Sequence, residues 1–458
     1  VAKQRGFEPD FDEMSGDVAD PDAPKGAAAP QVVANQVLEM KQWLKQCFDF
    51  RRNLMTGNVE FRRATAIRDS YQVVLDHHEN SIMLAMMESG FRAVKGTVPM
   101  IIQSEWVPDY HPLREYFRHI ERDGPTTTGN IEQLVRSLSL SSMPDTVIAA
   151  LKVLGFTPEK AVATLLRRWL IAACAGAVSD QPNHVCLVLQ GPQGAFKTTW
   201  LRGLCPSSLA DYNYVGQIMP MIQNGHVNNL VAEKWFVNID DELEQLFGKD
   251  FNTLKSFITL SDVTNRKAYA KYEKRRKRVC SWMASVNGER ILRDLENRRY
   301  FIMPVKRCLT DAMPPIDALW AEVYRLVLAG EQHWFTVEEY KLITAINEQF
   351  TEISAEAELL QRYFEPARPS DDKERVWYLT ATEILTELRR YTNNMNIGNH
   401  QLGRALKRYG FESKSRRRSG RGEQSVPEYC YACLRYDVEG RPMMAPHTAP
   451  ALAIPRTD

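Results

Sequence analysis

Apolar residues recur every three or four positions near the start of the chain, at Val33, Val37, Met40 and Leu44, with Leu38 and Trp43 beside that stripe. This spacing predicts an amphipathic helix. Residues Phe48–Arg62 then alternate around a ThrGlyAsn turn, the pattern of a hairpin. Thr157 followed by Pro158 marks a helix start, and Val162, Leu165, Leu166, Trp169, Leu170 and Ala173 continue it. After Pro182 the period changes. Val185–Leu189 is a short, continuous apolar run of the kind that makes a strand buried on both faces, and Trp235–Ile239, Val279–Val286 and Tyr300–Val305 repeat it. Helical segments lie between these runs, so residues 157–305 read as an α/β unit on a mainly parallel sheet.

Beyond residue 316 the helical spacing returns, at Leu319, Val323, Leu326 and Val327, then over Val337–Phe350 and Ala355–Phe364. ProAlaArgPro at 366–369 interrupts it as a linker. Thr380 and Glu383 form a capping box that opens one helix. Asn399–Tyr409 predicts another, with Leu402, Ala405, Leu406 and Tyr409 inward and His400, Arg404, Lys407 and Arg408 outward. Phe411–Tyr436 alternates as a hairpin whose tip is the basic stretch 414–422. Helix, helix, basic hairpin is the order of a winged-helix fold.

Length and composition limit what these elements can build. A chain of 458 residues exceeds one compact core, and 44% hydrophobic with 25% charged residues is ordinary for a globular protein. Residues 1–30, rich in Asp, Pro, Ala and Gly, read as a disordered leader. The absence of a signal-like apolar core or a membrane-length run leads to a cytoplasmic expectation without membrane contact, and the missing initiator Met suggests that something lies upstream. Among eight cysteines, Cys186 and Cys280 sit in strand-like runs and read as buried thiols. Cys430 and Cys433 form a lone CxxC, which reads as two small strand residues rather than a zinc site. His77, His78 and His111 lack metal-ligand spacing and read as structural.

The chemistry concentrates after the first buried strand, in GlnGlyProGlnGlyAlaPheLysThrThrTrp at 190–200. A glycine-bearing turn that enters a helix aims backbone N–H groups at a phosphate. In that arrangement Gly191, Gln193, Gly194, Ala195 and Phe196 form the loop, Lys197 reaches the β- and γ-phosphates, and Thr198 ligates Mg²⁺, with Thr199 a weaker alternative. The pattern GxxxxGK[ST] has glycine where this chain has Phe196, a position that calls for positive φ at a cost on the order of 1–2 kcal/mol. The order of the later motifs supports the site. The strand at 235–239 ends in Asp240, Asp241 and Glu242, acids suited to Mg²⁺ coordination and to activating a water, with either aspartate as the metal-side acid. The next strand ends in Asn287, whose amide suits the attacking water or the γ-phosphate. Arg298 and Arg299 follow, as transition-state cations or as ion-pair partners of Asp294 and Glu296.

This set, with IleAspAspGluLeu, LeuLysSerPheIle (254–258), AsnArgLysAlaTyr (265–269), AlaSerValAsn (284–287) and AsnArgArgTyrPhe (297–301), resembles the virulence-associated protein E family. These are ATPases of phages and mobile elements, similar to superfamily 3 helicases, and the branch from Bacteroides-type mobile elements is the most similar. The resemblance spans about residues 40–310 and implies an AAA+-like P-loop core, ATP and Mg²⁺ as cofactors, a homo-oligomeric ring and a role in element replication. It also implies a primase-like domain or partner upstream. That branch often has an aromatic residue before the P-loop lysine, as at Phe196. It departs at 295–296, where the family has ThrGly and this chain has LeuGlu.

Charge distribution suggests the polymer on which such a site would act. Residues 266–278 hold eight bases and one acid, and residues 389–421 hold ten bases and one acid. In the resembled helicases a hairpin between the acidic and Asn motifs faces a central pore. Lys271, Lys274, Arg275, Arg276 and Lys277 would there track single-stranded DNA, the alternative being a solvated loop. Arg404, Lys407, Arg408, Arg416, Arg417 and Arg418 would meet DNA in the winged-helix-like region, the alternative being a basic protein-binding surface. The expected organisation is a leader (1–30), an α-rich N-terminal domain (31–150), a P-loop ATPase domain (151–310), a helical lid or linker (311–365), a winged-helix-like DNA-binding domain (366–440) and a tail (441–458). The function expected is an ATP-dependent DNA helicase or translocase. The alternative is an ATP-switched DNA-binding initiator or regulator.

Overall fold

The computed structural model describes residues 30–65, 70–240, 251–265, 274–289, 291–292, 298–351, 354–391, 397–418 and 426–445. The leader expected before Pro30 and the tail after 445 lie outside the described residues, as do Asp241, Glu242 and Lys271. For Lys274 and Arg416–Arg418 only the backbone is described.

The first helix, Pro30–Cys47, leads into β1 (Phe48–Asn53) and β2 (Val59–Arg63), the expected hairpin, with Gly57 at φ 68° in its turn. Two short strands, β3 (Gln72–Val73) and β4 (Asp109–Tyr110), complete a sheet of order β3-β2-β1-β4. Phe50, Ile82, Met86, Val98 and Ile101 form its small core. The span read as α-rich therefore carries a four-stranded sheet. Strands of two residues are too short to show a period of two, so only the hairpin was legible.

From residue 112 onward the chain builds a larger core. Helices Pro112–Asp123, Asn130–Arg136 and Asp145–Val153 flank β5 (Leu138–Leu140) and precede the long helix Pro158–Ser179. The side chain of Thr157 caps that helix by accepting from Lys160 N–H, with Pro158 in the first turn. By length and apolar content alone this helix would cross a bilayer, but 72% of its most apolar window is buried inside the protein. Then follow β6 (Cys186–Gln190), β7 (Asn213–Gly216), β8 (Phe236–Asp240), the two-stranded pair β9 (Asp262–Asn265) and β10 (Lys274–Lys277), β11 (Ser281–Val286) and β12 (Tyr300–Cys308). The six-stranded sheet has the order β5-β12-β6-β11-β8-β7, parallel except for β5. Helices Ile316–Leu328 and Val337–Asn347 pack into the same core as the helices before 151, so that core extends past both ends of the 151–310 span.

Aromatic side chains lock the helices to the sheet. Trp235 stacks on Phe236 at 4.3 Å and meets Trp320 at 4.7 Å and Phe117 at 5.5 Å between ring centroids. Burying such rings contributes a few kcal/mol each, provided that the indole N–H groups find acceptors. They do: Trp169 donates to Val185 O, Trp235 to Ala173 O and Trp320 to Leu204 O, at 2.9, 3.1 and 2.8 Å.

A third core gathers helix Ala355–Tyr363, β13 (Phe364–Pro366), β14 (Trp377–Leu379), helices Ala381–Arg389 and Asn399–Arg408, β15 (Ser413–Arg418) and β16 (Val426–Arg435). The Thr380–Glu383 capping box is present, and β15 pairs with β16 as an antiparallel hairpin. Leu402, Ala405 and Leu406 face inward.

Arg278 roots the β9–β10 pair. Its side chain is fully buried and donates to Leu260 O (2.6 Å), Cys280 O (2.7 Å) and Asn183 O (2.9 Å). A buried cation satisfied by three carbonyls leaves all three orphaned when it is removed. Arg278→Ala is therefore expected to destabilise the fold by about 3 kcal/mol, read as a shift in the urea midpoint of tryptophan fluorescence. An unchanged midpoint would contradict this anchoring role.

Candidate functional site

Three parallel strand ends create the site. The register sets Val286 of β11 beside Gln190 of β6, and Ser285 beside Asp240 of β8. The residues that follow β6 and β11, and the last residue of β8, thus emerge in a row on one edge of the sheet. Such crevices beyond the carboxyl ends of parallel strands are where α/β folds hold ligands.

The loop after β6 is shaped by close packing. A Cβ built on Gly191 would lie 2.1 Å from Val305 O, so only glycine fits there. Gly194 has φ 80°, and Phe196 stands in the left-handed region at φ 61°, ψ 25°, where the motif ordinarily has glycine. Phe196 adopts the conformation that its position requires, at the steric cost of a side chain. Helix Lys197–Gly203 starts at the next residue.

Lys197 is 6% exposed and donates from Nζ to Gly191 O, Pro192 O and Asn287 Oδ1, each at 2.8 Å. Thr198 Oγ1 donates to Asp240 Oδ1 at 2.7 Å, and Ser285 Oγ donates to the same oxygen at 2.9 Å. Of the two aspartates between which the sequence left a choice, Asp240 is the one in contact with Thr198; Asp241 and Glu242 lie outside the described residues. Thr199 is exposed, and among the described contacts it makes none of these. Ser285 was not singled out from sequence. The available signal was its place two residues before Asn287, which puts both on one face of β11.

The arginine pair stands elsewhere. Cys186 N–H donates to Arg299 O at 2.7 Å, so the pair enters β12 beside the beginning of β6, whereas the 191–196 loop leaves its end. At about 3.3 Å per residue the two ends are roughly 15 Å apart. Arg298 is exposed with its guanidinium 5.5 Å from the Tyr340 ring centroid, and a cavity of about 330 Å³ is lined by His184, Thr259, Arg298, Arg299 and Tyr340. Burial, then the nearby Arg278, hold His184 below its ordinary pKa. The alternative partners Asp294 and Glu296 lie outside the described residues.

The basic residues expected to face DNA divide into two groups. Arg275 and Lys277 pair with Asp262 at 2.9 Å each and remain more than half exposed; hydrogen bonds from Lys277 and then Arg275 hold the Asp262 carboxyl below its usual range. Arg276 departs from the expected pore-facing position: it is 16% exposed and binds Met55 O, Asn229 Oδ1 and Glu233, bridging to the turn between β1 and β2. On helix Asn399–Arg408, His400, Arg404 and Lys407 are exposed as expected. Arg408 departs too, 14% exposed and 3.8 Å from Glu348 of the central unit. Cys430 and Cys433 are buried in β16, and the described residues hold no group of three metal-ligating side chains.

No curated protein matches the chain. Among solved structures it is similar to the C-terminal region of NrS-1 in its A-form apo state, at 14% identity over 86% of this chain and 98% of that one, with a TM-score of 0.40. A further apo structure of that region is similar at 12% identity, covering 87% and 98%, with a TM-score of 0.41. SCCmec type IV Cch, described as an active helicase, is similar at 11% identity, covering 85% and 92%, with a TM-score of 0.34. The sequence profile of the virulence-associated protein E-like domain matches residues 138–352, the span that contains the sheet and all three strand ends. The chain thus carries a virulence-associated protein E-like domain over just under half of its length.

Proposed function

We propose that this chain is an ATP-hydrolysing motor with an AAA+-like core that moves along or unwinds DNA during replication of a phage or other mobile element. The observation that carries the reading is the joined pair of contacts Lys197–Asn287 and Thr198–Asp240–Ser285. The strand order supports it: with β6, β7, β8, β11 and β12 counted 1 to 5, the parallel sheet reads 5-1-4-3-2, and the Asn strand separates the phosphate loop from the acid strand. The match of residues 138–352 to the virulence-associated protein E-like domain supports the setting in a mobile element.

In this reading Lys197 exchanges its two loop carbonyls for phosphate oxygens while Asn287 holds its position. Thr198 and Asp240 offer the hard oxygen ligands that Mg²⁺ takes, and the ion would supply charge neutralisation at the phosphates. Ser285 fixes the Asp240 carboxylate by donating to it, and one of the acids after Asp240 activates the attacking water. Asn287 orients that water or the γ-phosphate. Arg298 and Arg299 stand too far from the loop of their own chain and serve the site of a neighbouring copy in a ring. DNA contacts come from Lys271, Lys274, Arg275 and Lys277 at the β9–β10 pair, and from Arg404, Lys407 and Arg416–Arg418. The C-terminal order of helix, two short strands, two helices and hairpin supports a winged-helix-like reading.

An ATP-switched initiator without motor activity is favoured by one feature, the strained Phe196 in the phosphate loop.

Three outcomes test these assignments. Lys197→Ala and Asp240→Asn should each lower ATP turnover by about 100-fold or more without loss of fold; wild-type turnover in either would remove the site, and turnover that single-stranded DNA does not accelerate would support the switch. Lys197→Ala mixed with Arg298→Ala/Arg299→Ala should regain activity that neither has alone, because one intact interface forms between them; no recovery would count against a neighbour's arginine. Arg404→Ala/Lys407→Ala should flatten the slope of log K against log salt for duplex DNA by about 2, measured by fluorescence anisotropy. An unchanged slope would argue for a protein-binding surface there.

A further inference from the structure

Strand β12 pairs with β6 only as far as Pro304–Gln190, yet it continues through Cys308. Its extension runs along the phosphate loop. Val305 O fills the space where a Gly191 Cβ would stand, and Cys308 N–H donates to Ala195 O at 2.8 Å. This course carries Arg307 to the open side of the loop, exposed, with its guanidinium carbon 5.3 Å from the centroid of the Phe196 ring. The ring itself is 47% exposed. Among the described residues no carboxylate pairs with Arg307. The loop is thus flanked by an amide on the β11 side and by a guanidinium on the β12 side.

A guanidinium over an aromatic face keeps its five N–H donors in its own plane, free for an anion, while the ring limits its rotamers. Phe196 holds a left-handed conformation that glycine would take without the steric cost of a side chain. The cost has a return if the ring supports Arg307. We propose that Phe196 and Arg307 act as one unit, in which Arg307 binds the polyphosphate of the nucleoside triphosphate and the Phe196 ring presets its guanidinium. This rests on the reading of the phosphate loop as the ATP site.

The test is isothermal titration of the full chain with MgATP and, separately, with magnesium tripolyphosphate, for wild type, Arg307→Ala, Arg307→Lys, Phe196→Leu and the Arg307→Ala/Phe196→Leu pair. Arg307→Ala should weaken both ligands by about ten-fold. The thermal midpoint should stay unchanged, because the side chain is exposed. Arg307→Lys should recover part of the affinity, keeping the charge but losing the planar set of N–H donors. The double variant should bind no more weakly than Arg307→Ala alone, since the ring acts through the guanidinium. Wild-type affinity in Arg307→Ala, or losses that multiply in the double variant, would overturn the unit. If the wild type binds neither ligand, the ATP reading falls, and the unit with it.

Discussion

The register that places Val286 beside Gln190 and Ser285 beside Asp240 decides where each charged group at this edge of the sheet can stand. A slip of one residue along β11 would turn Ser285 and Asn287 to the opposite face and separate Lys197 from its amide. Strands buried on both faces lack a polar side to guide their pairing, so the register must be held from outside. Here the covering layer holds it. The Phe117, Trp235 and Trp320 cluster clamps the helices Pro112–Asp123 and Ile316–Leu328, which precede and follow the sheet in the chain, against the start of β8, and each indole N–H of Trp169, Trp235 and Trp320 is tied to one backbone carbonyl. Such directional ties restrict sliding in a way that apolar contact alone does not.

What could be read from the sequence was what local chemistry determines. The caps at Thr157 and Thr380, the turn at Gly57 and the four apolar runs of the parallel sheet all depend on neighbours within a few positions, and each is present. Phe196 was legible as a misfit, because the motif itself states which residue needs positive φ. The short strands β5 and β7 were not, since three or four residues do not display a period. The fate of individual basic residues was the least legible. Arg276, Arg278 and Arg408 sit in blocks that look uniformly solvated, yet their partners include Met55, Asn183 and Glu348, which sequence spacing does not bring near. Burial of a cation is decided by acceptors from elsewhere in the fold.

The same distinction separates Arg298 and Arg299 from Arg307. Residues 298–299 and 307 belong to one short stretch around β12, but a parallel strand spans the sheet, so its two ends serve opposite edges. A linear motif gives proximity along the chain and hides this inversion. Only the pairing of β12 with β6 brings one end to the loop after β6 and directs the other away from it.

Arg278 and Arg276 also change what kind of object the β9–β10 pair is mechanically. A two-stranded ribbon on its own is marginally stable, but this one is fixed at its base, through Arg276 to the β1–β2 turn and through Arg278 to carbonyls just before β6 and β11. Its root therefore shares one set of hydrogen bonds with the approach to β11, the strand that leads to Asn287.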